Sequence, residues 1–294
     1  MRWVLPLIAS GCSSLFIDET LPASADPDHD GFADADDDNC PGLVNVDQAD
    51  RDNDGIGDAC ARWCDGQCAD PMFCDCLDFD GDPVFPPAWS LNSVDGGRTM
   101  TFVEDVRSPP TALYFSVPGL LETTIGHNKS VLTRGFPTDR KVVHFEYDWK
   151  LLPYGFRDRD TNLQFGSVFI GLAGRVSITN NFNDAAATPY DNWTFSVALP
   201  PMSFSIPAPP GDGSRWVRVT MDVKFADTPT GYIVLAYDGV EVLRRENLTT
   251  ARSFVQFPAT TIGADLGVFT LQGQTGRETP NVNLIHDNVL VRVE

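Results

Sequence analysis

The sequence predicts an all-β fold, a jelly-roll β-sandwich, preceded by an irregular acidic segment. Three observations predict it. After residue 83, short runs of apolar and β-branched residues recur between Gly, Pro, Asn and Asp. Before residue 61, carboxylates crowd together at alternate positions. All seven cysteines lie before residue 77, so the two parts of the chain need different means of holding themselves together.

In chain order, the N-terminus comes first. Met1 and Arg2 precede an apolar run, Trp3 to Ile8, and then Ala9, Ser10, Gly11 and Cys12. A charged start, a short apolar stretch and small residues before a cysteine resemble a bacterial lipoprotein signal. The resemblance implies that residues 1–11 are removed, that Cys12 carries the lipid anchor to a membrane, and that 12–25 form a linker. It places the protein outside the cytoplasm, at the outer membrane or cell surface, or else secreted. An ordinary secretory signal with Cys12 unpaired is the alternative.

Residues 26–60 carry the densest pattern. Asp26, Asp28, Asp30, Gly31 and Asp34 are followed 24 residues later by Asp50, Asp52, Asp54, Gly55 and Asp58. Alternate carboxylates before a glycine open a calcium loop, with side chains turned inward and the glycine making the bend. Ca2+ is therefore the expected cofactor. The loops are not EF-hands: position 12 is Asp37 in the first and Ala61 in the second, where a bidentate Glu is needed. With Asp38-Asn39-Cys40-Pro41, Asn45 and Gln48 between the two phrases, the stretch resembles the thrombospondin type 3 repeat. That resemblance implies calcium ligands at Asp26, Asp28, Asp30, Asp34, Asp38, Asp50, Asp52, Asp54 and Asp58. One extra residue before Asp38 leaves Asp36, Asp37 and Asp38 as alternatives for one of these. The competing reading is a disordered acidic linker.

Charge agrees with this division. Of the formal net charge of −20, residues 18–82 supply −18 and residues 83–294 only −3, with Arg2 adding +1. Such acidity argues against nucleic acid as a partner of the neck. Setting Cys12 aside leaves Cys40, Cys60, Cys64, Cys68, Cys74 and Cys76, an even number suited to three disulfides in an oxidising compartment. Zinc fits poorly, because two CxxC-like pairs separated by a longer loop are missing. Cys40 and Cys60 each end a carboxylate phrase, which makes them an attractive pair, with 61–82 a separate Cys-rich segment.

From 83 to 294 the sequence reads as strands. The clearest runs are 100–106, 111–117, 141–151, 163–172, 175–179, 193–199, 215–225, 232–237, 240–245, 266–271 and 288–293. Strict alternation marks Trp216 to Phe225, and Asp238-Gly239 between two apolar runs predicts a type I′ hairpin. Arg215-Trp216-Val217-Arg218-Val219, Tyr237-Asp238-Gly239 and the closing His286-Asp287-Asn288-Val289-Leu290-Val291 resemble concanavalin A-like and laminin G-like domains. Those phrases imply a lectin-like sandwich that takes a glycan or an extracellular protein ligand.

Catalytic signatures are sparse. Glu146 and Asp148 form the one alternate Glu-x-Asp pair, without the third acid of a glycan-hydrolysing strand. Both are expected to face solvent beside buried Phe145, Tyr147 and Trp149. Neither a Gly-x-Ser-x-Gly elbow nor a His-Glu-x-x-His helix occurs. His286 is expected to cap a strand, and Asn180–Asp184 and Asp191–Trp193 to form turns. The expectation is thus a calcium-binding surface lipoprotein with an adhesive, lectin-like domain and no catalytic residues, not an enzyme. The alternatives are an exported carbohydrate-active enzyme with an atypical site, and a purely structural envelope protein.

Overall fold

A computed structural model describes residues 26–33, 38–42, 44–48, 57, 64, 67–77, 79, 88–94, 98–103, 107, 112–118, 127–152, 161–182, 193–198, 200–210, 215–272 and 281–294. The chain divides into two compact units, 1–61 and 62–294. Among the described residues there is no helix, and every strand pair is antiparallel.

Among the described residues the second unit is a sandwich of fifteen strands. The first sheet runs β13 (Val240–Leu248), β12 (Gly231–Tyr237), β11 (Val217–Lys224), β6 (Val142–Leu151), β15 (Val282–Val293), β4 (Ala112–Val117) and β3 (Arg98–Val103), with β1 (Cys74–Leu77) also on β15. The second runs β10 (Met202–Ser205), β9 (Trp193–Val197), β8 (Gly174–Phe182), β7 (Thr161–Ile170), β14 (Thr261–Gln272), β5 (His127–Pro137) and β2 (Trp89–Val94). The chain crosses from sheet to sheet at β1–β2, β2–β3, β4–β5, β5–β6, β6–β7, β10–β11, β13–β14 and β14–β15, so each sheet gathers strands distant in sequence. This is the jelly-roll arrangement expected from the strand count.

The alternation of β11 is fully realised: Val217, Val219, Met221 and Val223 are buried, and the residues between them are half-buried. The hairpin turn is type I′ in its backbone, with φ of 49° at Asp238 and 75° at Gly239. Four strands escape the sequence reading: β1, β2, β5 and β10. β5 hides because Gly135, Pro137 and several polar residues dilute its apolar pattern; it becomes a strand by pairing between β2 and β14.

The core is aromatic. Trp149 meets Phe165 edge-on at 5.2 Å between ring centroids, and Phe165 stacks on Trp193 at 5.4 Å. Each such ring removes a large apolar area from water, and the edge and stacked geometries add about 1 kcal/mol per pair. His286 belongs to this core. It does not cap a strand end: it lies within β15, fully buried against Phe115 and Tyr147. Burial disfavours its charged form and lowers its pKa to about 3, so the ring is neutral at physiological pH.

The sandwich reaches back into the Cys-rich segment. Disulfides Cys64–Cys76 and Cys68–Cys74 nest around a turn, and β1 then pairs with the last strand. Cys40 is also disulfide-bonded. Cys60 and Cys12 lie outside the described residues.

Candidate functional site

In the first unit, the turn Asp26–Gly31 gathers carboxylates. One ligand oxygen from each of Asp26, Asp28 and Asp30 lies within 4.8 Å of the others, a grouping able to hold a metal ion. Asp26 accepts the amides of Asp30 (3.2 Å) and Gly31 (3.1 Å), and Gly31 takes φ +100°, open to glycine without strain. Asp30 accepts the Asn45 amide at 3.1 Å and Gln48 Nε2 at 3.0 Å. Gln48 Nε2 also reaches Asp38 Oδ1 at 3.2 Å, and Gln48 Oε1 accepts the Asn39 amide at 2.8 Å. Asn45 and Gln48 are thus the clamps between the carboxylates and the Asn39-Cys40 corner. Asn39 in turn receives the amide of Gly57, where a β-carbon would stand 2.2 Å from Asn39 Oδ1.

Two carboxylate oxygens, Asp28 Oδ2 and Asp38 Oδ2, are shut off from water without a hydrogen-bond partner. Removal from water pushes the Asp28 carboxyl above its ordinary range, against the pull of the Asp30 amide, and the charges of Asp30 and Asp38 add to the rise. An all-oxygen set with unmet negative charge fits a hard cation. Of the sequence-predicted ligands, Asp26, Asp28 and Asp30 are thus brought together, with Asp38 tied to them through Gln48. Asp34, Asp50, Asp52, Asp54 and Asp58 lie outside the described residues.

The two sheets of the sandwich present different outer faces. On the first sheet the outer positions of β6 and β11 are charged and paired. Arg218 grips Asp148 in a two-pronged bond (2.9 and 2.6 Å) and reaches Glu146 at 3.2 Å. Asn288 Nδ2 also donates to Asp148 at 2.9 Å. Asp148 is fully buried under these partners, which corrects the expectation that it faces solvent; Glu146 keeps about a fifth of its side chain exposed. His144 sits between Asp222 (2.6 Å) and Glu146 (3.6 Å). Burial alone would lower its pKa, but those two carboxylates outweigh burial and raise it to about 9. The imidazole is therefore a fixed cation, unable to serve as a base near neutrality. This mosaic holds strands together.

On the second sheet the outer face is mostly hydroxyl. Val176 and Ile178 of β8 point into the core, so Arg175, Ser177 and Thr179 take the other side. The same parity puts Ser167 of β7, Asp265 of β14, Thr133 of β5 and Thr194 and Ser196 of β9 on that face. Across the strands the register sets Thr133 opposite Asp265, Asp265 opposite Ser167, Ser167 opposite Ser177 and Ser177 opposite Ser196. Asp265 is the centre of the row. It accepts Thr133 Oγ1 at 2.6 Å and Ser167 Oγ at 2.8 Å, and it pairs with Arg175, which also donates to Ser167 at 2.6 Å. Ser177 and Thr179 share a contact at 3.4 Å, and Thr194, Ser196 and Ser203 form a chain with 3.2 Å steps. Ser167, Ser177, Thr179 and Asp265 expose no more than 4% of their surface although they point away from the core. The row is thus both sheltered and rich in hydroxyls, with Thr133, Thr194 and Ser196 as its partly exposed members.

Sequence reasoning missed this row. Its members come from five strands and share no local pattern. The turn residues weighed from sequence fare differently: Asn180 and Trp193 are buried on the core side, and 183–192 lie outside the described residues.

No family model matches the chain, and no curated protein matches it. Among solved structures it is similar to an endo-β-1,4-glucuronan lyase from the fungus Trichoderma reesei, with a TM-score of 0.51 and 12% identity over 71% of this chain and 92% of that one. It is also similar to the alginate lyase Aly36B (TM-score 0.44, 15% identity, 68% and 86% covered) and to the alginate lyase vAL-1 from Chlorella virus (0.46, 11%, 70% and 93%). The first likeness establishes a shared fold; the lower scores of the other two carry no argument. It also overturns the expectation of a non-enzyme, because a polysaccharide lyase uses this sandwich for chemistry. A lectin-like architecture is no evidence against turnover.

Proposed function

We propose that this chain is an exported carbohydrate-active enzyme, anchored by lipid at Cys12, in which a polysaccharide lies along the outer face of the second sheet. The observation that carries the reading is the sheltered row Thr133–Asp265–Ser167–Ser177 with Arg175 beside it. Sugar rings offer dense hydroxyl donors and acceptors, and a floor of side-chain hydroxyls matches them without a large desolvation cost. Asp265 acts as a positioning residue, fixing two hydroxyls and one guanidinium at once. The fold shared with the glucuronan lyase supports a glycan as the ligand and cleavage as the outcome.

In the same reading the neck is a thrombospondin type 3-like module that binds Ca2+ through Asp26, Asp28, Asp30 and Asp38. The two unmet carboxylate oxygens support a hard, oxygen-seeking ion. Its role is structural, holding a segment too poor in apolar residues to fold by burial.

The test is release of reducing ends from a panel of polysaccharides by the full-length protein. Asp265→Asn keeps the side-chain volume and is expected to lower kcat/KM at least tenfold in a protein that still folds, with a melting temperature a few degrees lower for the lost Arg175 pair. A protein that neither cleaves nor retains any polysaccharide in the panel would remove the reading.

A further inference from the structure

We infer that the glycan taken by the second sheet is an uncharged polysaccharide, read through its hydroxyls, and not a uronate polymer. The inference rests on the proposed function and narrows it.

Charge at the centre of this face is already balanced. Asp265 is its carboxylate among the described residues, and Arg175 is bound to it and to Ser167. The guanidinium is therefore engaged by an anion of the protein before any ligand arrives. A uronate competing for it would have to displace the Asp265 carboxylate and leave that charge sheltered without its cation, which is a large cost. The other cation at an alternate position of β5 is Lys129, four residues from Thr133, or about 14 Å along the strand. It stands beside the edge strand, opposite Val94 of β2.

Around this pair the accessible positions are neutral: Thr133, Thr194 and Ser196 keep part of their surface in solvent, each donates and accepts, and none carries charge. Long-range forces point the same way. Residues 83–294 carry a net −3, so a polyanion meets a weak repulsion from the sandwich at low ionic strength, whereas an uncharged polymer feels none.

The choice of substrate class fixes the chemistry. β-Elimination removes a proton made acidic by a neighbouring carboxyl group, and an uncharged sugar has no such group. Cleavage of a neutral chain is hydrolysis: the glycosidic bond breaks, water oxygen joins the anomeric carbon, one water proton goes to the leaving oxygen and the other remains on the new hydroxyl. Products are then saturated, unlike those of a lyase.

The full-length protein with calcium is run by affinity electrophoresis through gels holding neutral polysaccharides (β-1,4-glucan, xylan, β-1,3-glucan, mannan) or acidic ones (alginate, polyglucuronate, pectate), each at two salt concentrations. The expected result is retardation on at least one neutral polymer, unchanged by salt, with affinity for every acidic polymer at least tenfold weaker. Asp265→Asn removes the competing carboxylate and is expected to raise uronate retention several-fold. Tighter binding of an acidic polymer that weakens with salt would overturn the inference while leaving a glycan-directed protein. Retention on neither class would overturn the inference together with the function on which it rests. Should the variant fail to fold, the wild-type comparison alone decides.

Discussion

The neck and the sandwich solve the same problem with opposite materials. The sandwich excludes water with aliphatic and aromatic side chains, with Trp149, Phe145 and Phe195 each exposed by 1% or less. Among the described residues of the neck, the most buried side chains are those of Asp26, Asp30, Asn45 and Cys40. Its interior is a lattice of carboxylates, amides and backbone donors around Gln48 and Asn39. Hydrophobic burial is non-directional and tolerates substitution of similar volume, whereas a polar lattice needs every partner, because each unmet buried group costs about 1–3 kcal/mol. The difference teaches that a segment without an apolar interior is held by its polar partners, and that its gathered carboxylates are able to hold a metal ion.

The comparison is sharpest under chelation. Removing calcium from the full-length protein is expected to abolish the order of residues 26–60, seen as collapse of their amide dispersion by NMR, while the main thermal transition stays put. A sandwich that melts many degrees lower in EDTA would show that the two units are not independent in the way their interiors suggest.

Next in size is the core. Trp149→Ala removes a ring that touches Phe165, Tyr147 and Trp193, and should cost about 3–5 kcal/mol in denaturant unfolding. No single aliphatic change in the neck (Val44→Ala or Val46→Ala, both exposed) should approach that.

Arg218→Ala tests whether the sandwich too depends on a polar lattice. It leaves the buried Asp148 carboxylate with Asn288 as its close partner, and a loss of about 3 kcal/mol is expected. A loss below 1 kcal/mol would place the charged mosaic among ordinary surface pairs.

The smallest effect is a pH slope. His144 has a folded pKa of about 9 against an ordinary 6.5, so its contribution is complete below pH 6.5 and is lost as pH rises through 9. His286, lowered to about 3, has the opposite sign: its unfolded form takes up a proton below pH 6.5, and stability falls as pH drops toward 3. Thermal melts from pH 6.5 to 9 should decline for the wild type and flatten for His144→Gln.

Much of this was legible in the residues, and the rest was not, for definable reasons. Alternation along one strand is a local property, so β6, β11 and β12 could be read directly, as could the Asp238-Gly239 turn, where two positive φ values demand those residue types. The clustering of Asp26, Asp28 and Asp30 is local too, set by a turn of five residues. β5 was hidden because its strand character comes from its neighbours. Asp148 looked like a solvent-facing acid because nothing nearby in sequence announces Arg218, 70 residues on, or Asn288, 140 residues on. Likewise Thr133, Asp265, Ser167 and Arg175 are ordinary residues in four separate strands. Local pattern thus determined what kind of elements form and that carboxylates able to hold a metal ion gather in the first unit. Only the tertiary structure decided which polar side chains meet, because sheet register brings together residues that the chain keeps far apart.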